Sequence, residues 1–155
     1  MEEKANPKAQ IKITFQIFIA LLAGLILAAY YLFPEIESYK IDINNTEDIV
    51  MYIIPLGLIV AILLGSILFQ SNIKQALSNE CLSNKLATYQ TGMLMRLAPL
   101  EGIAFLSIFQ FSDSKNVIYL IIEVIAILYI IFLVPTKSRI IKELQLSETH
   151  KRQLN

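Results

Sequence analysis

The feature that most constrains this chain is a set of four long apolar stretches, each about long enough to cross a bilayer. A hydrocarbon core of about 30 Å needs roughly 20 apolar residues in a helix, and the backbone polar groups within it must be bonded internally. Hydrophobic residues make up 55% of the 155 residues, more than a soluble domain of this length can bury. We therefore predict an all-α polytopic membrane protein, with four transmembrane helices in two antiparallel hairpins and a single membrane domain over residues 1–155. The predicted spans are residues 11–33, 49–69, 91–111 and 117–134.

Polar segments connect these spans. Residues 34–48 are predicted to form a loop, and residues 112–116 a tight turn. In the connection at 70–89, a stripe of apolar residues recurs at roughly helical spacing, which predicts a short interfacial helix: Ile73, Leu77, Leu82 and Leu86. Pro135 is expected to end the fourth span, and residues 136–155 are predicted to form an amphipathic tail.

Basic residues are distributed unevenly between the two sides that these spans define. The N-terminal segment, the second loop and the tail contain Lys4, Lys8, Lys12, Lys74, Lys85, Lys137, Arg139, Lys142, Lys151 and Arg152. The other two loops contain only Lys40 and Lys115. Because positively charged flanks stay in the cytoplasm, we predict cytoplasmic termini in a bacterial inner membrane.

Small residues recur at a spacing of four, which favours close helix packing in lipid. They are Ala20, Gly24 and Ala28 in the first span, Gly57, Ala61 and Gly65 in the second, and Ala98 and Gly102 in the third. The first two sets predict a tight hairpin between the first and second spans. The fourth span is nearly all Ile, Leu and Val, so we expect it to face lipid or to be loosely packed. We also expect the protein to form a homo-oligomer or to bind other membrane proteins.

Two glutamates interrupt the apolar spans. A carboxyl group at the depth of Glu101 costs about 2.5 to 3.5 kcal/mol even on an insertion scale, which makes it a candidate functional group. Glu123 lies in the fourth span, and in antiparallel helices the two carboxyl groups would differ in depth by roughly 6 Å. We predict that Glu101 and Glu123 form a protonatable, ion-binding site. Arg96 lies about 140° around the helix from Glu101, and we predict that it extends to the cytoplasmic headgroups as an interface anchor.

A structural role for Glu101 remains open beside this hypothesis. Pro99 has no N–H, so the carbonyl of Met95 lacks its normal helical partner. A protonated Glu101 would satisfy that carbonyl by donating one hydrogen bond. In that case the glutamate would stabilise the helix and would carry no ion.

The stretch QTGMLMRLAPLEGIAF resembles the carboxylate helix of the proteolipid, or ring, subunits of rotary ATPases. In those subunits a similar run of Thr, Met and Ala leads to a Glu followed by a small residue. The resemblance implies that Glu101 is an ion-binding carboxylate. Proteolipid inner helices contain closely repeated glycines, whereas this chain has five glycines in total, and Arg96 is a further departure. Residues 89–146 also look like small four-helix bacterial membrane proteins, which implies a fold and no chemistry.

Several functional classes are disfavoured by composition. A net charge of zero provides no basic field for nucleic acid, and Cys81 and His150 are the only residues of their types, so no structural zinc site and no cofactor are predicted. No motif of a hydrolase or a phosphate-binding loop is present, and we predict that the protein is not an enzyme. The predicted function is a proteolipid-like or ion-coupled role in the lipid bilayer. The alternative is a structural or accessory subunit of a membrane complex.

Overall fold

The computed structural model describes residues 6–32, 40–42 and 49–154, and this part of the chain is helical with short connections. Its helices are α1 (Pro7–Leu32), α2 (Val50–Ser78), α3 (Leu82–Ser114), α4 (Val117–Phe132), α5 (Lys137–Glu143) and α6 (Glu148–Gln153). The all-α class is confirmed for these residues. Most of the loop predicted at 34–48 lies outside them.

The helices differ in how well they could cross a bilayer. α1, α2 and α3 are each long and apolar enough to do so. α4 has only 16 residues, and it passes the same test only together with α5, from which it is bent by 74°. The bend contains Pro135, whose ring and missing N–H are poorly tolerated inside a helix. The lengths indicate an integral membrane protein with three spans, or four if the bent pair is one span.

The connection predicted at 70–89 is a continuation of the neighbouring helices. α2 runs on to Ser78 and α3 begins at Leu82, so only three residues lie between them. The interfacial helix predicted there is therefore wrong. The segment contains no proline or glycine, so both helices extend into it and are separated only at residues 79–81. Leu82 and Leu86, part of the predicted apolar stripe, are buried in α3.

Helix α3 is the centre of the fold, and α1, α2 and α4 each pack on it. The contacts of α2 are antiparallel: a Cβ added at Gly57 would lie 2.8 Å from the Ile103 side chain, and one at Gly65 would lie 2.8 Å from the Arg96 carbonyl oxygen. By contrast, α1 and α2 have few direct contacts. The predicted hairpin between the first two spans is therefore not formed, and the small residues of α2 are packed against α3 instead.

The predicted exposure of the spans also changes. In α1 only Thr14, Phe18 and Leu25 are buried, and a Cβ at Gly24 would meet nothing within 4 Å. The shorter α4 buries five residues, including Glu123. α1 is thus the most peripheral long helix, whereas the fourth span was expected to be. A helix made of large apolar residues can still present one buried face, and composition does not reveal that face.

The C-terminal tail covers one end of the bundle. Its apolar residues are buried against the other helices: Ile140, Leu144, Leu146 and Leu154. The start of α1 is at this same end, because Gln10 Nε2 donates to Ser83 Oγ at 3.1 Å and the segment after α4 shares a cavity with Lys8. We call this the terminal end. At the opposite end, Lys40 pairs through its backbone with Lys115 and Val117.

Candidate functional site: carboxyl groups inside the bundle

Glu123 lies on the buried face of α4 and is only 1% exposed. Both of its carboxyl oxygens are buried, and neither has a hydrogen-bond partner among the described residues. An ionised carboxylate in this position would be a buried charge without a partner, which costs several kcal/mol. A neutral, protonated carboxyl group avoids that cost.

Glu101 lies in the second half of α3, on the same face of the helix as Ser83. It is 18 residues from Ser83, which is five full helical turns, and Ser83 accepts a hydrogen bond from Gln10 of α1. The side chain is partly exposed. No hydrogen bond to the carbonyl of Met95 is present in the described part of the chain.

The two glutamates lie at nearly the same level in the membrane. Ser107 Oγ donates to the carbonyl oxygen of Tyr119 at 2.6 Å, which pairs α3 with the start of α4. Because the helices are antiparallel, moving four residues from Tyr119 to Glu123 corresponds to moving from Ser107 back to Ile103. Glu101 lies two residues before Ile103. It is therefore displaced from the level of Glu123 by about 3 Å along the helix axis.

Glu123 lies on the side of α4 that is turned away from α2. Tyr129 contacts Arg96 on the flank that α2 occupies, and Glu123 is about 120° around α4 from Tyr129. α1 packs on both α3 and α4. Glu123 is therefore on the flank of α4 opposite to the one that Tyr129 shares with Arg96.

Arg96 occupies the other flank. Its guanidinium carbon lies 5.1 Å from the centre of the Phe69 ring, and its Nη2 lies 3.4 Å from the Tyr129 hydroxyl. Its Nε is buried and has no partner among the described residues. The arginine lies between α2 and α4 and is partly exposed. Its predicted role as a headgroup anchor stays a prediction.

A polar network at the terminal end involves residues that sequence reasoning did not select. The Tyr89 hydroxyl donates to Glu143 Oε2 at 2.8 Å, and Arg139 Nε donates to Glu143 Oε1 at 3.0 Å. Arg139 Nη1 also donates to the carbonyl oxygen of Phe132 at 2.8 Å. Tyr89 continues the buried stripe of Leu82 and Leu86 at helical spacing, so its inward position was readable from the sequence. Its acceptor, 54 positions away, was not.

The other predicted packing residues divide between covered and open positions. Ala61 is buried and the α2 glycines face α3. Ala98 and Gly102, beside Glu101, are exposed, and a Cβ at Gly102 would meet nothing within 4 Å. In α1, Ala20 is exposed and Ala28 is partly exposed.

The described residues contain no group of three or more His, Cys, Asp or Glu side chains arranged to hold a metal ion. Comparisons with family models, with curated proteins and with solved structures found no match to this chain. The geometry of the two carboxyl groups is therefore the basis for a functional assignment.

Proposed function

We propose that this membrane protein takes up and releases a proton at Glu123, and that Glu101 is the second carboxyl group of the same site. The observation that carries the proposal is the burial of both Glu123 oxygens without a hydrogen-bond partner. A glutamate retained only to join two helices would bond to one of them. An unpartnered carboxyl group in a bilayer is a functional candidate.

A proton suits this site better than a metal cation. A dehydrated cation such as Ca²⁺ needs six to eight oxygen ligands, and the Glu123 carboxyl has no bonded polar neighbour in the described chain. A proton needs only the carboxyl oxygen itself. Glu101 lies at a similar level and is partly exposed, which provides a group through which a proton could leave the buried residue. The proteolipid resemblance around Glu101 favours the same class of function.

The test is proton flux into liposomes that contain the purified protein and a pH-sensitive dye. With a pH gradient and a membrane potential imposed, the wild-type protein should carry protons and Glu123→Gln should not. Glu80→Gln is the matched control, because Glu80 is exposed in the connection between α2 and α3, and its flux should equal the wild type. Equal flux through Glu123→Gln would overturn the proposal, as would the absence of flux through the wild type.

A second measurement identifies the ion. A hydrophobic carbodiimide reacts with protonated carboxyl groups, and mass spectrometry locates the modified residue. Modification of Glu101 or Glu123 that sodium does not prevent would support a proton. Protection by sodium would assign the site to that cation instead.

The alternative is a structural or accessory subunit without an ion-carrying role. The open face at Ala98 and Gly102 favours it, because small exposed residues permit the close approach of another transmembrane helix. That helix would come from a second copy or from another membrane protein. In a Cys81→Ser background, which removes the exposed native thiol, disulfide-linked dimers of Gly102→Cys under mild oxidation would support a second copy at this face. Absence of cross-linking would remove the homo-oligomer from the proposal.

We place both termini in the cytoplasm of a bacterial inner membrane on the basis of the basic residues alone.

A further inference from the structure

A cavity of about 380 Å³ lies at the terminal end, between α2, α3 and α5. It is lined by basic, polar, acidic and apolar side chains: Arg96, Lys74, Gln70, Glu143, Phe69 and Ile73. We call it the Arg96 cavity. The carboxyl group of Glu143 forms an ion pair at 3.0 Å with Arg139, which does not line the cavity. The negative charge of Glu143 is therefore already balanced, and it leaves the positive charges of Arg96 and Lys74 in the cavity.

The two basic side chains have donors to spare. Arg96 Nη2 makes one long hydrogen bond, at 3.4 Å to the Tyr129 hydroxyl, and the guanidinium lies over the Phe69 ring. Neither Arg96 nor Lys74 forms an ion pair with a carboxyl group of the described residues. A guanidinium and an ammonium group together offer several N–H donors. Most of them are therefore available to an anion, with which charge-assisted hydrogen bonds are strong.

Arg96 and Lys74 converge although their backbones lie at different levels. The Arg96 carbonyl oxygen is opposite Gly65, and Lys74 is further along α2 by about 13.5 Å. Side chains of a helix lean toward its N-terminus, and α2 and α3 are antiparallel. Arg96 therefore leans to the level of Phe69, where its guanidinium lies, and Lys74 leans back toward the same level. An anion in the cavity would lie between the two charges and offset their repulsion.

The Arg96 cavity is at the depth of lipid headgroups. Phe69 ends the second apolar run, and Gln70 begins the polar segment that contains Lys74. The headgroup region begins where an apolar span ends. Helical spacing places Ile67 and Leu63 on the face of α2 that carries Gln70, deeper in the membrane, and they are 63% and 59% exposed. An apolar surface open to lipid therefore continues directly from the two cations.

We infer that the Arg96 cavity binds an anionic phospholipid, with its phosphate between Arg96 and Lys74 and an acyl chain along Ile67 and Leu63. Basic pockets between transmembrane helices bind anionic headgroups through this combination of charge and depth. The apolar surface distinguishes a lipid from a free phosphate, which would gain nothing from Ile67. The bound lipid would give the predicted headgroup anchor, Arg96, a defined partner. This assignment does not depend on the proton-binding role of Glu123.

The test is native mass spectrometry of the full-length, delipidated protein in detergent, titrated with phosphatidylglycerol. The wild type should bind one lipid more tightly than any further one. Each basic residue near an anionic headgroup contributes about a five-fold gain in affinity. The double variant Arg96→Gln, Lys74→Gln should therefore bind the first lipid roughly 25-fold more weakly.

The matched control is the double variant Lys85→Gln, Lys142→Gln. It removes the same charge from residues that do not line the cavity, and it should bind the first lipid as the wild type does. Equal losses in the two double variants would mean general attraction to charge and would overturn the site. The absence of a tightly bound first lipid on the wild type would also overturn it.

Two further measurements protect the test against misfolding and against a different ligand. Lys74→Gln alone changes one exposed side chain and should weaken binding about five-fold; unchanged binding by a folded sample would contradict the site. Soluble glycerol phosphate supplies the headgroup chemistry without acyl chains. It should not displace the lipid, and efficient displacement would overturn the assignment to a phospholipid.

Discussion

Glu123 and Glu143 lie in neighbouring helices of the same chain and have opposite surroundings. Glu143 accepts hydrogen bonds at both carboxyl oxygens, from Tyr89 and from Arg139. Glu123 is more deeply buried and accepts none from the described residues. The first joins α3 to α5 and matches what a structural glutamate needs. The second does not, because no polar group among the described residues compensates for its lost hydration.

The different surroundings of Glu143 and Glu123 predict different effects of substitution on stability. Removing a paired buried group leaves its partners without bonds and is destabilising, whereas replacing an unpartnered polar group with an apolar one of similar size is often favourable. If Glu143 is structural and Glu123 is functional, substitutions at the two positions should change the free energy of unfolding in opposite directions. Each variant described below tests one part of that contrast.

Glu143→Ala should have the largest effect on stability. The substitution leaves the hydroxyl of Tyr89, a residue that is 1% exposed, without its acceptor and removes the ion pair with Arg139. We expect the free energy of unfolding to fall by about 2 to 3 kcal/mol, measured by denaturant titration in mixed micelles. Glu148→Ala is the control, since Glu148 forms an exposed pair with Lys151 and such pairs contribute little. Equal stabilities of the two variants would show that the network is not structural.

Glu123→Leu should increase stability. Leucine is close to glutamate in size and brings no unpartnered polar atoms into the bundle, so we expect a gain of about 1 to 2 kcal/mol. Proton flux should be lost in the same variant, as in other sites where function is retained at the expense of stability. A loss of stability would mean that Glu123 has a partner in the folded protein, and the contrast with Glu143 would fail.

Tyr89→Phe isolates one bond of the network. The substitution keeps the buried ring, which packs edge-on against Phe69 with centroids 5.6 Å apart, and removes only the donor to Glu143. Arg139 still satisfies the other carboxyl oxygen. We expect a loss of about 1 kcal/mol in thermal or denaturant unfolding. If the loss equals that of Glu143→Ala, the contribution of Arg139 to the network is negligible.

The fold was predictable where it depends on length and composition. Apolar runs indicated the long helices α1, α2 and α3, and Pro135 marked the end of the fourth run. Which helices contact each other was not predictable from these features. The small residues of α1 and α2 have the same spacing. Those of α2 face α3, whereas those of α1 are exposed or partly exposed although α1 also packs on α3. Residue spacing specifies a face of a helix and leaves its partner undetermined.

For the candidate site, the depth of the two carboxyl groups was predictable from the sequence and their exposure was not. Depth follows from the number of residues along a helix, so the sequence indicated that Glu101 and Glu123 lie near one level. Their exposure depends on the angular position of each helix in the bundle, which the sequence does not reveal: Glu101 is partly exposed and Glu123 is buried. The network of Glu143 depends on a bend after Pro135 that brings α5 back to α3, and no local pattern predicts the direction of such a bend.

The smallest effect is expected at Glu101, where two variants distinguish the structural hypothesis from the functional one. A glutamate that donates to the carbonyl of Met95 would be replaced well by glutamine, whose amide also donates, and poorly by leucine. Since Glu101 is partly exposed and has no such bond, we expect both Glu101→Gln and Glu101→Leu to stay within about 0.5 kcal/mol of the wild type. Both should reduce proton flux, because neither side chain can bind and release a proton. A loss of stability confined to Glu101→Leu, with flux unchanged in Glu101→Gln, would make Glu101 a structural residue like Glu143 and would leave Glu123 as the sole carboxyl group of the site.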